Sequence, residues 1–246
     1  MRNPMKSNFD LKKNAAELLK NTVKFQSDLI KARTKSNEDY RSEESNLHNI
    51  FRITLDGLIV RCVKQFSNKI ENTDEKISYQ ISLIVSFVRT HFLINDMILE
   101  GDLIEAYTLM RKNLESLTRL NEIDQKPLRK LLRKTPNVIN VLGKAGKTLY
   151  PTLSEIAHFG TPKVGNLLSV DSHDDGRIGP SLFPKYNQHS KSCYDRHAFI
   201  SINFTFFLMQ FLIKIFEDKY DSKNDHSTFY IMIKISEDIG MIEKSE

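Results

Sequence analysis

Two short groupings of polar residues in this 246-residue chain have the types and spacing that chemistry requires. Arg111 and Glu115 stand one helical turn apart beside an apolar run, so their side chains can pair while facing inward, or can pair at the surface. Tyr150, Ser154 and His158 recur every four residues, which puts them on one helix face with Glu155 adjacent. A buried histidine needs a partner for at least one ring nitrogen, and Ser154 or the Arg111/Glu115 pair can supply it. The same residues therefore admit two readings. They form either a hydrogen-bond lock between two helices or a proton-transfer site built from His158, Arg111, Glu115 and Ser154.

A third grouping, His189, Cys193 and His197, falls at i, i+4 and i+8, a spacing that can present ligands to a soft metal. No fourth ligand is evident, and His189 is expected to precede the helix, so no metal and no cofactor are expected. His173, Asp174 and Asp175 read as a solvated loop tip. The chain has no glycine-rich phosphate loop, HExxH, paired CxxC or GxSxG signature. The two cysteines, Cys62 and Cys193, are far apart, and the first residues lack a secretory pattern, so free thiols in a cytoplasmic protein are expected.

Charge supplies the strongest local signal. Residues 125–154 contain Lys126, Arg129, Lys130, Arg133, Lys134, Lys144 and Lys147 and no acidic residue. Such a stretch attracts phosphates. With no aromatic residue interleaved between Lys126 and Lys147, it reads either as a solvated helix face or as a binder of nucleic-acid backbone without strong sequence preference. The wider charge is uneven too: residues 1–70 carry 14 Lys and Arg against 8 Asp and Glu, whereas residues 216–246 carry 4 against 8.

The elements that must position these groups are helices. With 40% apolar and 27% charged residues the chain can bury a core, and its 9 glycines and 7 prolines are too few and too clustered for a many-stranded sandwich. An all-α multi-helix bundle is expected, with residues 1–44 as an N-terminal helical arm and 45–246 as the bundle domain. Ser7 is placed to cap the first helix, whose stripe is Leu11, Ala15, Leu18, Phe25 and Leu29. Residues 31–46 turn polar, as a solvated continuation or a hinge. The stripe returns with Leu47, Phe51, Leu55, Leu58 and Cys62. Residues 76–99 are apolar on nearly every face and should be central.

Gly101 is placed to end that helix, and Asp102 with Glu105 makes a capping-box pattern for the next, which carries Leu103, Tyr107, Met110, Leu114 and Leu117. Pro127, Thr135-Pro136 and Pro151 are each expected to open a shorter helix. Residues 161–190 read as one long irregular loop with a small hairpin about Asp175-Gly176. A strongly apolar helix over about 192–220 and a weaker one from about Asp225 close the chain. Residues 198–216 are apolar enough to raise a membrane span, but Asn203, Gln210 and Lys214 interrupt them, so a buried helix and no membrane contact are expected.

The order of these features resembles a known family. Gly101-Asp102 followed by Ala106-Tyr107-x-x-Met110-Arg111-x-x-x-Glu115, then Tyr150-x-x-Leu153-Ser154-x-x-x-His158-x-Gly160, then a glycine-bearing loop and a long apolar helix, is similar to an uncharacterised bacterial all-helical family related to HEPN-like helical bundles. The resemblance spans about residues 45–220. It implies a homodimer that binds RNA or a partner protein, in toxin–antitoxin or phage-defence systems, or a metal-independent endoribonuclease. The nuclease signature of that group is an Arg followed four to six residues later by a His. Here no Arg stands at 151–154, Lys147 is the nearest basic residue upstream of His158, and Arg196 directly precedes His197. Cleavage would need His158 to work with a spatially assembled Arg111.

Overall fold

A computed structural model describes residues 4–71, 73–172, 176 and 178–242. The described residues form an all-α multi-helix bundle: α1 (Pro4–Glu43), α2 (Asn46–Val63), α3 (Glu75–Glu100), α4 (Leu103–Gln125), α5 (Val138–Ala157), α6 (His189–Phe216) and α7 (Ser222–Asp238). Short 3-10 turns join several of them. One two-stranded antiparallel hairpin, β1 (Val170–Ser172) with β2 (Ile178–Pro180), pairs Asp171 with Gly179. The hairpin expected about Gly176 is therefore present; His173, Asp174 and Asp175 lie outside the described residues.

The core follows from α6. Its buried residues include Ile200, Phe204, Leu208, Phe211 and Leu212, and α2, α3 and α4 pack around it. Phe204 stacks on Phe87 of α3 with ring centroids 3.7 Å apart and planes within 9°. Each such fully buried side chain contributes about 1.5–3 kcal/mol. By length and composition α3 and α6 are both apolar enough to cross a membrane.

Helices α3 and α4 form an antiparallel pair about Gly101, as their contacts show: Lys112 reaches Thr90 and Asn113 reaches the Phe87 carbonyl. Gly101 has φ +86°, and a Cβ there would lie 2.8 Å from both the Lys185 carbonyl oxygen and the Ser36 hydroxyl. Only glycine meets both demands. The long loop thereby crosses over α1, with Phe183 against Phe25 and Tyr186 edge-on to Tyr40.

Several local expectations are corrected. Helix α1 already runs through Ser7, so Ser7 is not its cap. Residues 31–43 continue the helix without a hinge, because Ser36 and Tyr40 are buried against the body. Ser45 caps α2 instead, accepting from the His48 amide. The Asp102 side chain does not cap α4; Arg33 of α1 takes it at 2.9 Å. Pro127 opens only a single 3-10 turn, and α5 starts after Asn137 rather than at Thr135-Pro136. Pro151 lies inside α5, whose break is at Gly143 (φ 52°, ψ −126°). A proline has no N–H for the carbonyl four residues back, which here belongs to the exposed Lys147.

A buried polar chain crosses the bundle. His91 Nε2 pairs with Asp56 Oδ1 at 2.7 Å, His91 Nδ1 with the Ser201 hydroxyl at 2.9 Å, and Asn95 donates to Asp56 at 3.0 Å. The ring of His197 stacks on His91 at 4.7 Å, and neither of its nitrogens has a hydrogen-bond partner among the described residues. Burial first, and the neighbouring His91 second, hold His197 well below the ordinary histidine value. It therefore stays neutral in the folded protein while the unfolded chain takes up its proton at about pH 6.5. Stability is full above that pH and falls below it, approaching about 1.4 kcal/mol per pH unit from this residue. Urea unfolding of wild type and His197→Phe between about pH 7 and 5 should show a shallower acid loss in the variant. Parallel curves would show that His197 is not the source.

Candidate functional site

Helix α4 presents one face to α5, and the two run antiparallel, so residues spaced four and three apart on α4 meet residues in reverse order on α5. Arg111 sits beside His158, Glu115 beside Tyr150, and Glu122 beside Asn137. At the first of these pairs, Arg111 Nη1 lies 2.5 Å from His158 Nε2, Arg111 Nη2 donates to the Tyr150 hydroxyl at 3.3 Å, and Nε donates to Glu115 Oε1 at 3.1 Å. The Tyr150 hydroxyl in turn donates to the same Glu115 oxygen at 3.0 Å. The guanidinium carbon lies 5.4 Å from the Tyr150 ring centroid. Burial works against the Arg111 charge, but Tyr150 and Glu115 outweigh it and hold its value above the ordinary one.

The structure thus brings together Arg111, Glu115, Tyr150 and His158. Ser154 shares their face, but no hydrogen bond joins its hydroxyl to the other four among the described residues; its carbonyl accepts from the His158 amide. The cluster is open. His158 is exposed, and the Arg111 and Glu115 side chains retain 24% and 28% of their accessible surface. Because Arg111 donates to Nε2, the proton of a neutral His158 ring resides on Nδ1. A ligand that drew Arg111 away would free Nε2 to accept a proton.

The basic residues extend the same seam. Lys144, Lys147, Tyr150, Ser154 and His158 follow one another at three- and four-residue intervals along α5 beyond its break. From Lys147 to His158 the helix rises about 17 Å. Before the break, the α4–α5 connection carries Lys126, Arg129, Lys130, Arg133 and Lys134. All seven cations are exposed, and none has an acidic partner among the described residues. Arg133 has φ 61°, so the connection turns sharply at a charged side chain.

What holds that connection in place is a buried ion pair. Arg119 and Glu122, each with 8% of its side chain exposed, lie 3.0 Å apart. Arg119 donates to the Lys134 carbonyl, and Glu122 accepts from the Asn137 amide at 3.0 Å. The pair continues the line of Arg111 and Glu115 at intervals of four and three. That periodicity is the signal by which the sequence could have revealed it.

No family model, curated protein or solved structure matches this chain. The site must therefore be read from its own chemistry. The other candidate groupings do not assemble into one. Cys193 and His197 are fully buried, no set of His, Cys, Asp or Glu able to hold a metal occurs among the described residues, and both cysteines are free. Burial raises the Cys62 thiol to about 12 and the Cys193 thiol further, so neither is a nucleophile near neutral pH.

Exposure separates the two parts of the seam energetically. Removing Glu122 strands a buried guanidinium, so Glu122→Ala should cost about 3 kcal/mol. His158→Ala removes one contact at an exposed residue and should cost less than about 1 kcal/mol. Urea unfolding of both variants beside the wild type measures the contrast, and a large loss for His158→Ala would assign the cluster to holding the bundle together.

Proposed function

We propose that this chain is an RNA-binding helical module whose α4–α5 face tracks the phosphate backbone. The observation that carries this reading is the set of seven exposed cations in residues 125–154, none with an acidic partner among the described residues, five of them on a connection held by a buried ion pair. Unpaired surface cations next to one another repel, and a polyanion relieves that repulsion while releasing its own counterions. The resemblance to HEPN-like bundles, with its bacterial defence and toxin–antitoxin associations and its dimers, supports the same class of partner. Binding of single-stranded RNA should weaken steeply with added salt, with a slope of roughly −0.7 per phosphate neutralised. Charge reversal at Arg129 and Arg133 should flatten that slope. Absence of measurable binding at low salt in a fluorescence anisotropy titration would sink this reading.

A second reading adds cleavage at the end of the track. Its support is the contact of Arg111 with an exposed His158, which is the pairing of charge stabiliser and proton acceptor that phosphodiester transfer requires. A phosphate engaging Arg111 would free His158 Nε2 to take the proton of the attacking 2′-hydroxyl; that oxygen bonds to phosphorus, the P–O5′ bond breaks, and His158 returns the proton to the departing 5′-oxygen. Incubation of RNA with wild type, Arg111→Ala and His158→Ala should then show cleavage by the wild type alone. Equal degradation by all three, or intact RNA throughout, would leave binding without chemistry.

A further inference from the structure

Helix α6 is surrounded along most of its length, but one side is left uncovered where α4 ends and α5 begins. There a groove of about 350 Å3 opens, lined on α6 by Asn203, Phe206, Phe207, Gln210 and Lys214 and on α4 by Asn121 and Asp124. Its size lies at the lower end of the range of small-ligand sites. Its position matters as much. Asp124 precedes Lys126 by two residues, and Leu142, on the α5 wall, precedes Lys144 by two. The groove therefore opens at the edge of the basic track.

Phe206 leans on Phe229 at 6.0 Å with the rings tilted by 40°, yet keeps 52% of its surface exposed. A large aromatic ring held from one side and open on the other is a stacking platform. Around it stand groups with open acceptor positions, beside the donors Gln210 and Lys214. Asn121 and Asn203 each commit one of two amide N–H groups to the carbonyl four residues back on their own helix, at 2.9 and 2.8 Å, which leaves a side-chain carbonyl oxygen and a second N–H on each. Lys76, Gln80 and Lys214 all meet Asp124 on Oδ1, which leaves Oδ2. An aromatic face with carboxylate and amide acceptors beside a cationic track has the components that recognise a base splayed out of a single strand. An acceptor set of this kind suits an exocyclic amine, as an acidic side chain suits the N4 amine of cytosine.

We infer that the α4–α6 groove takes an unpaired, amine-bearing nucleobase of a strand whose phosphates lie on the basic track. This rests on the RNA-binding reading above and adds selection for unpaired bases to it. The aromatic partner that the basic stretch lacks in sequence is supplied by a helix some sixty residues further along the chain.

The test titrates the full chain with three strands of equal length: oligocytidylate, oligouridylate and an abasic phosphodiester strand. Oligocytidylate should bind about tenfold more tightly than the abasic strand, the effect expected of one stacked base, and more tightly than oligouridylate. Phe206→Ala should abolish the advantage over the abasic strand while leaving the abasic affinity and the salt slope unchanged. Equal affinity for oligocytidylate and the abasic strand, or an advantage that survives Phe206→Ala, overturns the groove while the track stands. Oligouridylate binding as tightly as oligocytidylate removes the amine preference and with it the inference as stated. Failure of every strand to bind at low salt overturns track and groove together.

Discussion

Helix α6 is apolar on almost every side, and burying it is the constraint on which the other elements depend. A helix of that composition has no face it can leave in water at low cost, so α2, α3 and α4 close around it and set the bundle's shape. The face-to-face contact of Phe204 with Phe87 fixes its depth relative to α3. Three further features follow from the same requirement. The polar residues that α6 carries into the interior, among them His197 and Ser201, must find partners or remain unsatisfied. The pairing of α3 with α4 brings Arg111, Glu115, Arg119 and Glu122 into one line facing α5. Between α6, the end of α4 and the start of α5 a groove with an exposed aromatic ring is left.

How much of this was legible in the sequence depended on the distance over which each feature is decided. The apolar stripes of α2 and α4, the stop at Gly101 and the hairpin are decided within a few residues, and periodicity or turn chemistry reveals them; α3, expected to be central, instead buries one stripe and exposes Ser82, Val85, Arg89 and Leu93, while α6 takes the centre. The pairing of Arg111 with Glu115 belongs to the same group, as does the shared face of Tyr150 and His158. Their convergence was legible only as a possibility, since it depends on the antiparallel docking of α5 on α4. The breaks of α5 show the opposite case. Pro151 is a strong start signal locally, but a helix already under way passes through it, while Gly143, which carries no signal beyond its identity, takes the positive φ that bends the chain. The side chain of Asp102 was likewise claimed by Arg33, 69 residues away, rather than by its own helix. The chain from Asp56 through His91 to Ser201 spans 35 and then 110 residues, so no local pattern announces it.

The distribution of charge over the α4–α5 seam separates what holds the protein together from what faces outward. Arg119 and Glu122 are sheltered from water, where an ion pair is strong and the loss of one partner is severe. Arg111 and Glu115 are partly shielded and share their hydrogen bonds with Tyr150. The seven cations of residues 125–154 are exposed, with no acidic partner among the described residues. Because exposed charges are screened over about 8–10 Å, they act on one another and on a close polyanion but little on the rest of the molecule.

A track of cations alone cannot distinguish one strand from another, since phosphates are the same in every sequence and in single and double strands alike. Discrimination requires contact with bases, and bases are reachable only where they are unstacked. In this fold the groups suited to such contact lie not on the basic segment but on the helix behind it, because Phe206 is on the side of α6 that the connection from α4 to α5 leaves open. The buried Arg119–Glu122 pair sets the course of that connection. The ion pair that holds this connection therefore stands behind both the cations it carries and the edge of the groove, so the proposed backbone binding and base contact would be coupled through a single structural element.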